Sequence, residues 1–370
     1  MKDQIYLPGL NGIRAIAALL VLIFHIDIFI PAFQLTPLGY GKTGMAGYGV
    51  VLFFVLSGFL ITFLLLHEKE KFGKINLPKF YMRRILRIWP IYYLVIFSTF
   101  ILYFFFPNLI HFSGNKVSEA FLFYTFFVSN VGYGIGIGTL AIRPLWSVGV
   151  EEQFYAFWPF LVNKYKNILY ALIGVIVIYT LVKAGSKLVD TKLYNIISLS
   201  RFDCMAMGGI GAYLYYTKSK VLTFIYHPVA QVISWSVLMI SIAYKPLQVM
   251  AFIDKEIHAV FYLIIIMNVS TNKNTLIGLE NKVLDFIGKI SYGIYVYHMF
   301  TLVILSYLIT KVFGYTPKDS ISDYIMVYML MLSCTFMLAY FSFRYFEKWF
   351  LKRKSKYAKI HSKSSANSSI

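Results

Sequence analysis

The chain is poor in cysteine and in acid. Cys204 and Cys334 are the two cysteines in 370 residues, and both fall inside apolar segments. That excludes a disulfide-stapled scaffold and leaves no cysteine spacing for a metal site, so two buried free thiols are expected. Charged residues make up 14% of the chain and hydrophobic residues 59%, whereas soluble domains carry about 25% charge. No interval between the apolar runs has room for a soluble domain. Asp and Glu number 16 against 35 Lys and Arg, a net charge of +19. This excess does not point to nucleic acid. The basic residues cluster in particular loops, as on the cytoplasmic faces of membrane proteins. The first apolar run is too long for a signal-peptide core and no A-x-A site ends it, so it is expected to stay. Solenoid periods, heptads and an obvious inverted repeat are absent too, which weighs against a transporter.

What is present is an all-α pattern, a polytopic transmembrane helical bundle. Crossings are expected at about 10–30, 46–66, 88–106, 145–163, 167–184, 202–217, 228–245, 257–270, 285–311 and 322–350. The apolar stretch 119–141 is ambiguous, because Gly132, Gly134, Gly136 and Gly138 weaken a helix. Loop charge arbitrates. Basic loops at 69–87, 164–166, 218–220 and 352–363 share one side only if 119–141 does not cross. The expectation is therefore about ten crossings plus one re-entrant or interfacial stretch, with both termini cytoplasmic. Residues 1–350 form the membrane domain and 351–370 a basic, disordered cytoplasmic tail.

Arg14 and His25 interrupt the first run, NGIRAIAALLVLIFHI, eleven positions apart. About three helical turns return both side chains to one face, roughly 16 Å apart. A cation and an imidazole on one membrane-helix face are costly and need polar partners. The bland reading is a snorkelling Arg and a His bonded to a carbonyl; the functional one is an imidazole that takes a proton from a hydroxyl and returns it. In RPLWSVGVEEQFYAFWP, Glu151 and Glu152 fall at a depth comparable to His25 and point about 100° apart, so at most one meets it directly. They are either a structural ion pair or the carboxylate that orients the imidazole.

In KFYMRRILRIWPIYYL, Arg83, Arg84 and Arg87 read as positive-inside anchors with Trp89, Tyr92 and Tyr93 as an aromatic belt. The sharper reading gives Arg84 and Arg87, three apart, an anionic cosubstrate, since guanidinium forks suit phosphates. Ser57-Gly58 suggests close helix packing or a groove for a chain-like ligand, and no triad spacing supports Ser57 as a nucleophile. Arg201 and Asp203 read as an ion pair at a helix start. Ser291, Tyr295 and His298 share a face, and His298 is either a second site residue or a satisfied core histidine. The remaining histidines lie in or beside loops and carry no argument.

Taken in order, these pieces resemble the acyltransferase-3 family of integral membrane acyltransferases over essentially the whole membrane domain. NGIRAIAALLVLIFH is similar to its first-helix Arg-x10-His motif, RRILRIWPIYYL to its Arg-x-x-Arg motif and LWSVGVEEQFY to its acidic motif. GVVLFFVLSGFLIT, RFDCMAMGGIGA and ISYGIYVYH match further helices. Val51 replaces a frequent polar residue, and YFEKWF lacks the proline that commonly follows Glu-Lys. The resemblance implies a standalone member with no fused hydrolase-like domain. It implies transfer of an acyl group, acetyl first, from cytoplasmic acyl-CoA to a hydroxyl of a cell-surface glycan or lipid-linked sugar. That would place the protein in polysaccharide or lipopolysaccharide biosynthesis, in a bacterial inner membrane, alongside other envelope-biosynthesis proteins. It implies His25 as general base aided by Glu151 or Glu152, and Arg14, Arg83, Arg84 and Arg87 on the CoA phosphates. Trp146, Ser147, Tyr295 and His298 become acceptor contacts, and no metal is expected. The alternative from another class is a proton-coupled transporter or flippase, because intramembrane His, Glu and Arg also build proton relays. Free CoA released only in the presence of a glycan acceptor discriminates the two.

Overall fold

The computed structural model describes residues 4–39, 41, 43–315, 320–357 and 361–363. Its strands are two three-residue pieces, β1 (Gln4–Tyr6) and β2 (His361–Lys363), paired in parallel with Gln4 opposite His361. They bring the two ends of the described chain together. Tyr6 donates its hydroxyl to Glu280, and burial together with that carboxylate pushes the phenol up to about 12.

All other regular structure is helical. The long helices α1 (Leu10–Phe29), α2 (Met45–Phe72) and α3 (Leu77–Phe105) come first, then the short α4 (Val117–Thr125) and α5 (Ser129–Gly134). Next are α6 (Leu145–Lys164), α7 (Ile168–Val189), α8 (Thr191–Ser200), α9 (Phe202–Tyr216), the single turn α10 (Leu222–Ile225), α11 (Pro228–Ala243) and α12 (Asp254–Thr271). The last are α13 (Lys282–Tyr307) and α14 (Ile321–Phe341), which continues through a π-helical segment, Ser342–Glu347, into α15 (Lys348–Lys354).

Among the described residues, six helical stretches are long and apolar enough to cross a membrane: Leu10–Phe33, Met45–Phe72, Leu77–Phe105, Ile168–Val189, Lys282–Val312 and Ile321–Tyr357. The expectation of about ten crossings is corrected to six long apolar candidate spans. Two of the others are too short. With 15 and 16 residues, α9 and α11 rise roughly 23 and 24 Å, where the hydrocarbon core needs about 30 Å. The other two are too polar: α6 carries Glu151, Glu152 and Lys164, and α12 opens on Asp254, Lys255 and Glu256. Within 119–141 the chain breaks at Phe127 (φ 57) and turns at Gly136 (φ 78) and Gly138 (φ 138), so no helix there is long. Past residue 350 the chain stays helical to Lys354 and makes one 3-10 turn to Tyr357. Of the tail expected there, 358–360 and 364–370 lie outside the described residues.

Two glycines set the helix packing around the site. A Cβ on Gly58 would lie 1.9 Å from the Met205 carbonyl oxygen, so α2 and α9 touch backbone to backbone. A Cβ on Gly288 would lie 2.1 Å from the Asn11 carbonyl oxygen, which brings α13 equally close to α1. Buried Trp158 donates its indole N–H to Thr62 Oγ1 at 2.9 Å and pins α6 to α2. These contacts, with the packing of α1 against α2, place α1, α2, α6 and α13 around one interior space.

Candidate active site

Helices α1 and α13 run parallel in close contact. At one end Asn11 Nδ2 donates to Asp285 Oδ1 at 2.6 Å. About four turns further along both helices, the His25 and His298 rings lie 4.9 Å apart between centroids. His25 Nδ1 sits 2.8 Å from the Val21 carbonyl and His298 Nδ1 2.6 Å from the Tyr295 carbonyl. A carbonyl can only accept, so in each neutral ring Nδ1 carries the proton and Nε2 presents its lone pair. His298 is fully buried, and its Nε2 has no partner among the described residues. An unmet acceptor at zero exposure is destabilising by about 1–3 kcal/mol, which marks this spot as one that receives a donor.

Beside this ladder lies a cavity of about 1090 Å³. Nine cationic side chains and three carboxylates line it. The carboxylates are already engaged. Glu68 pairs with Arg83 at 3.1 Å, Asp285 with Lys289 at 2.8 Å, and Glu151 accepts from Ser57 Oγ at 2.9 Å and Tyr155 OH at 3.2 Å. Most of the cations therefore have no internal counter-charge. Arg14 donates to Asn11 Oδ1 at 3.1 Å. The Arg84 guanidinium lies over the Phe80 and Tyr155 rings at 5.7 and 5.6 Å, and its buried Nε has no partner among the described residues. Arg87 lines the wall with no hydrogen-bond or ion-pair partner among the described residues. A chamber with this balance suits a polyanion.

Tyr295 joins the two parts. It lines the cavity, with its hydroxyl 2.6 Å from Ser147 Oγ and 3.1 Å from the Pro144 carbonyl, while its own carbonyl holds His298. Of the residues expected at the site, Arg14, Arg83, Arg84, Arg87, Glu151, Ser147 and Tyr295 line the cavity. His25 and His298 lie together next to it through Tyr295. The structure does not bring His25 into contact with either glutamate: among the described residues His298 takes the place expected for a carboxylate. Glu152 points elsewhere, accepting from Trp89 Nε1 at 3.0 Å, with Oε1 buried and unpartnered among the described residues. The 100° separation of consecutive helical positions accounts for the split between the two glutamates. Trp146 stacks on Tyr133 at 6.1 Å instead of facing the cavity.

Sequence reading missed Ser57 as the donor to Glu151, and it missed Asn11 and Asp285, which fasten α1 to α13. Asp285 lies fourteen positions after Thr271, where α12 ends, in a polar stretch that gives no sign of its partner. It also missed Arg344, Lys348 and Lys354, which line the cavity but read in sequence as ordinary basic flanks. Among the described residues no group of three or more His, Cys, Asp or Glu side chains could hold a metal ion.

Helical bundle and long apolar candidate spans together define a polytopic all-α membrane protein, with a cation-rich cavity among its helices. The chain belongs to the acyltransferase family described as "Acyltransferase domain", whose profile matches residues 7–354. It is thus a polytopic member of that family. Its relatives include a Staphylococcus aureus (strain COL) protein provisionally named as an O-acetyltransferase, 28% identical over 388 residues, covering 95% of this chain and 58% of the relative. O-acetyltransferase OatA of Staphylococcus aureus (strain NCTC 8325 / PS 47) is 29% identical over 385 residues, covering 94% and 57%. The chain spans under two thirds of the length of these relatives. No solved structure matches it.

Proposed function

We propose that the protein transfers an acyl group, acetyl first, from acyl-CoA to a hydroxyl of a glycan or lipid-linked sugar at a bacterial cytoplasmic membrane. The observation that carries this reading is the continuity from the cation-rich cavity through Ser147 and Tyr295 to the His298–His25 pair. Arg84 and Arg87 hold the phosphates, with Arg14 beside them and Arg83 kept in place by Glu68. His25 Nε2 takes the proton of the acceptor hydroxyl as that oxygen attacks the thioester carbonyl carbon. The C–O bond forms, the C–S bond breaks, and His25 returns the proton to the leaving thiolate. Glu151, held by Ser57 and Tyr155, contributes negative charge to the same chamber. The names of the relatives support acetyl as the group and O-linkage as the product.

The test uses purified protein in detergent with acetyl-CoA and a glycan acceptor. CoA release is expected only with acceptor present. His25→Ala lowers it by about 10²–10⁴-fold while the protein still folds and inserts. Unchanged turnover in His25→Ala removes the mechanism.

A further inference from the structure

The basic residues that close the chain do not behave alike. Lys352 and Arg353 on α15 are exposed, and Arg353 lies over the Trp349 ring at 3.3 Å. That is the ordinary interfacial arrangement of a positive flank. Lys354, on the same helix, is half-buried and lines the cavity; Lys348, half-buried one turn and a half earlier, and Arg344, exposed on the π-helical segment, line it too. Lys348 and Lys354 have no hydrogen-bond or ion-pair partner among the described residues, and Arg344 Nη1 donates only to Tyr340 OH at 2.8 Å. The one carboxylate on the segment, Glu347, is buried but is not part of the cavity wall.

This wall is held in place. Arg83 Nη1 donates to the Tyr357 carbonyl at 3.0 Å and its Nη2 to Glu68, so the turn after α15 is tied to α3 and α2 together. The extra residue per turn of the π-helical segment rotates α15 relative to α14, a device common at functional sites. Like charges brought into one cavity with Arg84 and Arg87, on helices that pack against each other, repel one another unless an anion lies among them.

We propose that Arg344, Lys348 and Lys354 form a second jaw of the acyl donor's anion site, alongside Arg84 and Arg87. The two jaws grip the phosphate-bearing nucleotide end of acyl-CoA. The proposal rests on reading the cavity as the acyl-CoA site, and the experiment separates the two. Binding of CoA and of adenosine 3′,5′-bisphosphate to the purified full chain is measured by titration calorimetry at several salt concentrations. Lys348→Gln/Lys354→Gln is expected to weaken both ligands by roughly tenfold or more and to flatten the salt dependence. Lys352→Gln/Arg353→Gln, on the same helix, leaves both unchanged. Arg344→Gln alone gives a smaller loss in the same direction and keeps the test available if the double variant does not fold. If Arg84→Ala weakens CoA while the Lys348, Lys354 and Arg344 variants do not, the second jaw is wrong and the cavity reading stands. If none of them weakens CoA, both fall.

Discussion

Two regions of the molecule concentrate charge, and they do so in opposite ways. Between α7, α9 and α12, Lys183 is buried with its ammonium on Glu256 and on the Phe252 carbonyl at 2.7 Å. Asp203, also buried, accepts the Cys204 amide at 2.8 Å. Arg201 makes no ion pair with Asp203 among the described residues, contrary to the pairing expected at that helix start. It adopts a left-handed backbone (φ 47), and its amide donates to Tyr179 OH at 3.2 Å. Here opposite charges are close to balanced, and Lys183 is matched by Glu256, while Asp203 Oδ2 and Glu256 Oε2 have no hydrogen-bond partner among the described residues. In the cavity beside α1 and α13, cations outnumber carboxylates, and the carboxylates are spoken for. A cluster with its own counter-charges ties helices together; one with an excess of cations is suited to an anion. Charged residue types alone do not distinguish the two, but their partners do.

The contrast gives a graded set of outcomes. The largest effect on folding is expected from Lys183→Met, which leaves Glu256 buried without its cation. Stability falls by about 3–5 kcal/mol in thermal or denaturant unfolding, with CoA affinity of the folded protein intact. A loss of CoA affinity at unchanged stability would make the matched cluster part of the ligand site. Next is Arg84→Ala/Arg87→Ala, which raises the Michaelis constant for acyl-CoA by roughly tenfold or more with little change in unfolding. An effect confined to the acceptor would reassign these arginines. The smallest is the difference between the two glutamates. Glu151→Gln lowers turnover by a larger factor than Glu152→Gln, because Glu151 lines the cavity while Glu152 is held by Trp89. The reverse order would put the acidic contribution on the far face of α6.

The sequence was legible where chemistry and spacing are local. The helices could be read from the apolar runs, and Arg14, Arg84, Arg87 and Glu151 do share one chamber. The number of membrane crossings was not legible, because α9 and α11 are apolar but short, and α6 and α12 are long but interrupted by charge. Nor was the partner of His25. The depth argument pointed to α6, but the close approach allowed by Gly288 brings α13 against α1 and puts His298 there instead. That pairing joins segments more than 270 positions apart, which no local pattern encodes. Lys354 was unreadable for a related reason: three successive basic residues look alike until the helix turns one of them inward.

The most direct measurement is the affinity of purified wild-type protein for CoA as salt is raised, set beside that of Arg84→Ala/Arg87→Ala. The expected result is wild-type binding that weakens steeply with salt, and variant binding that is weaker and flatter at equal thermal stability. Equal affinities with equal salt dependence would contradict the assignment of the unmatched cations to the acyl donor.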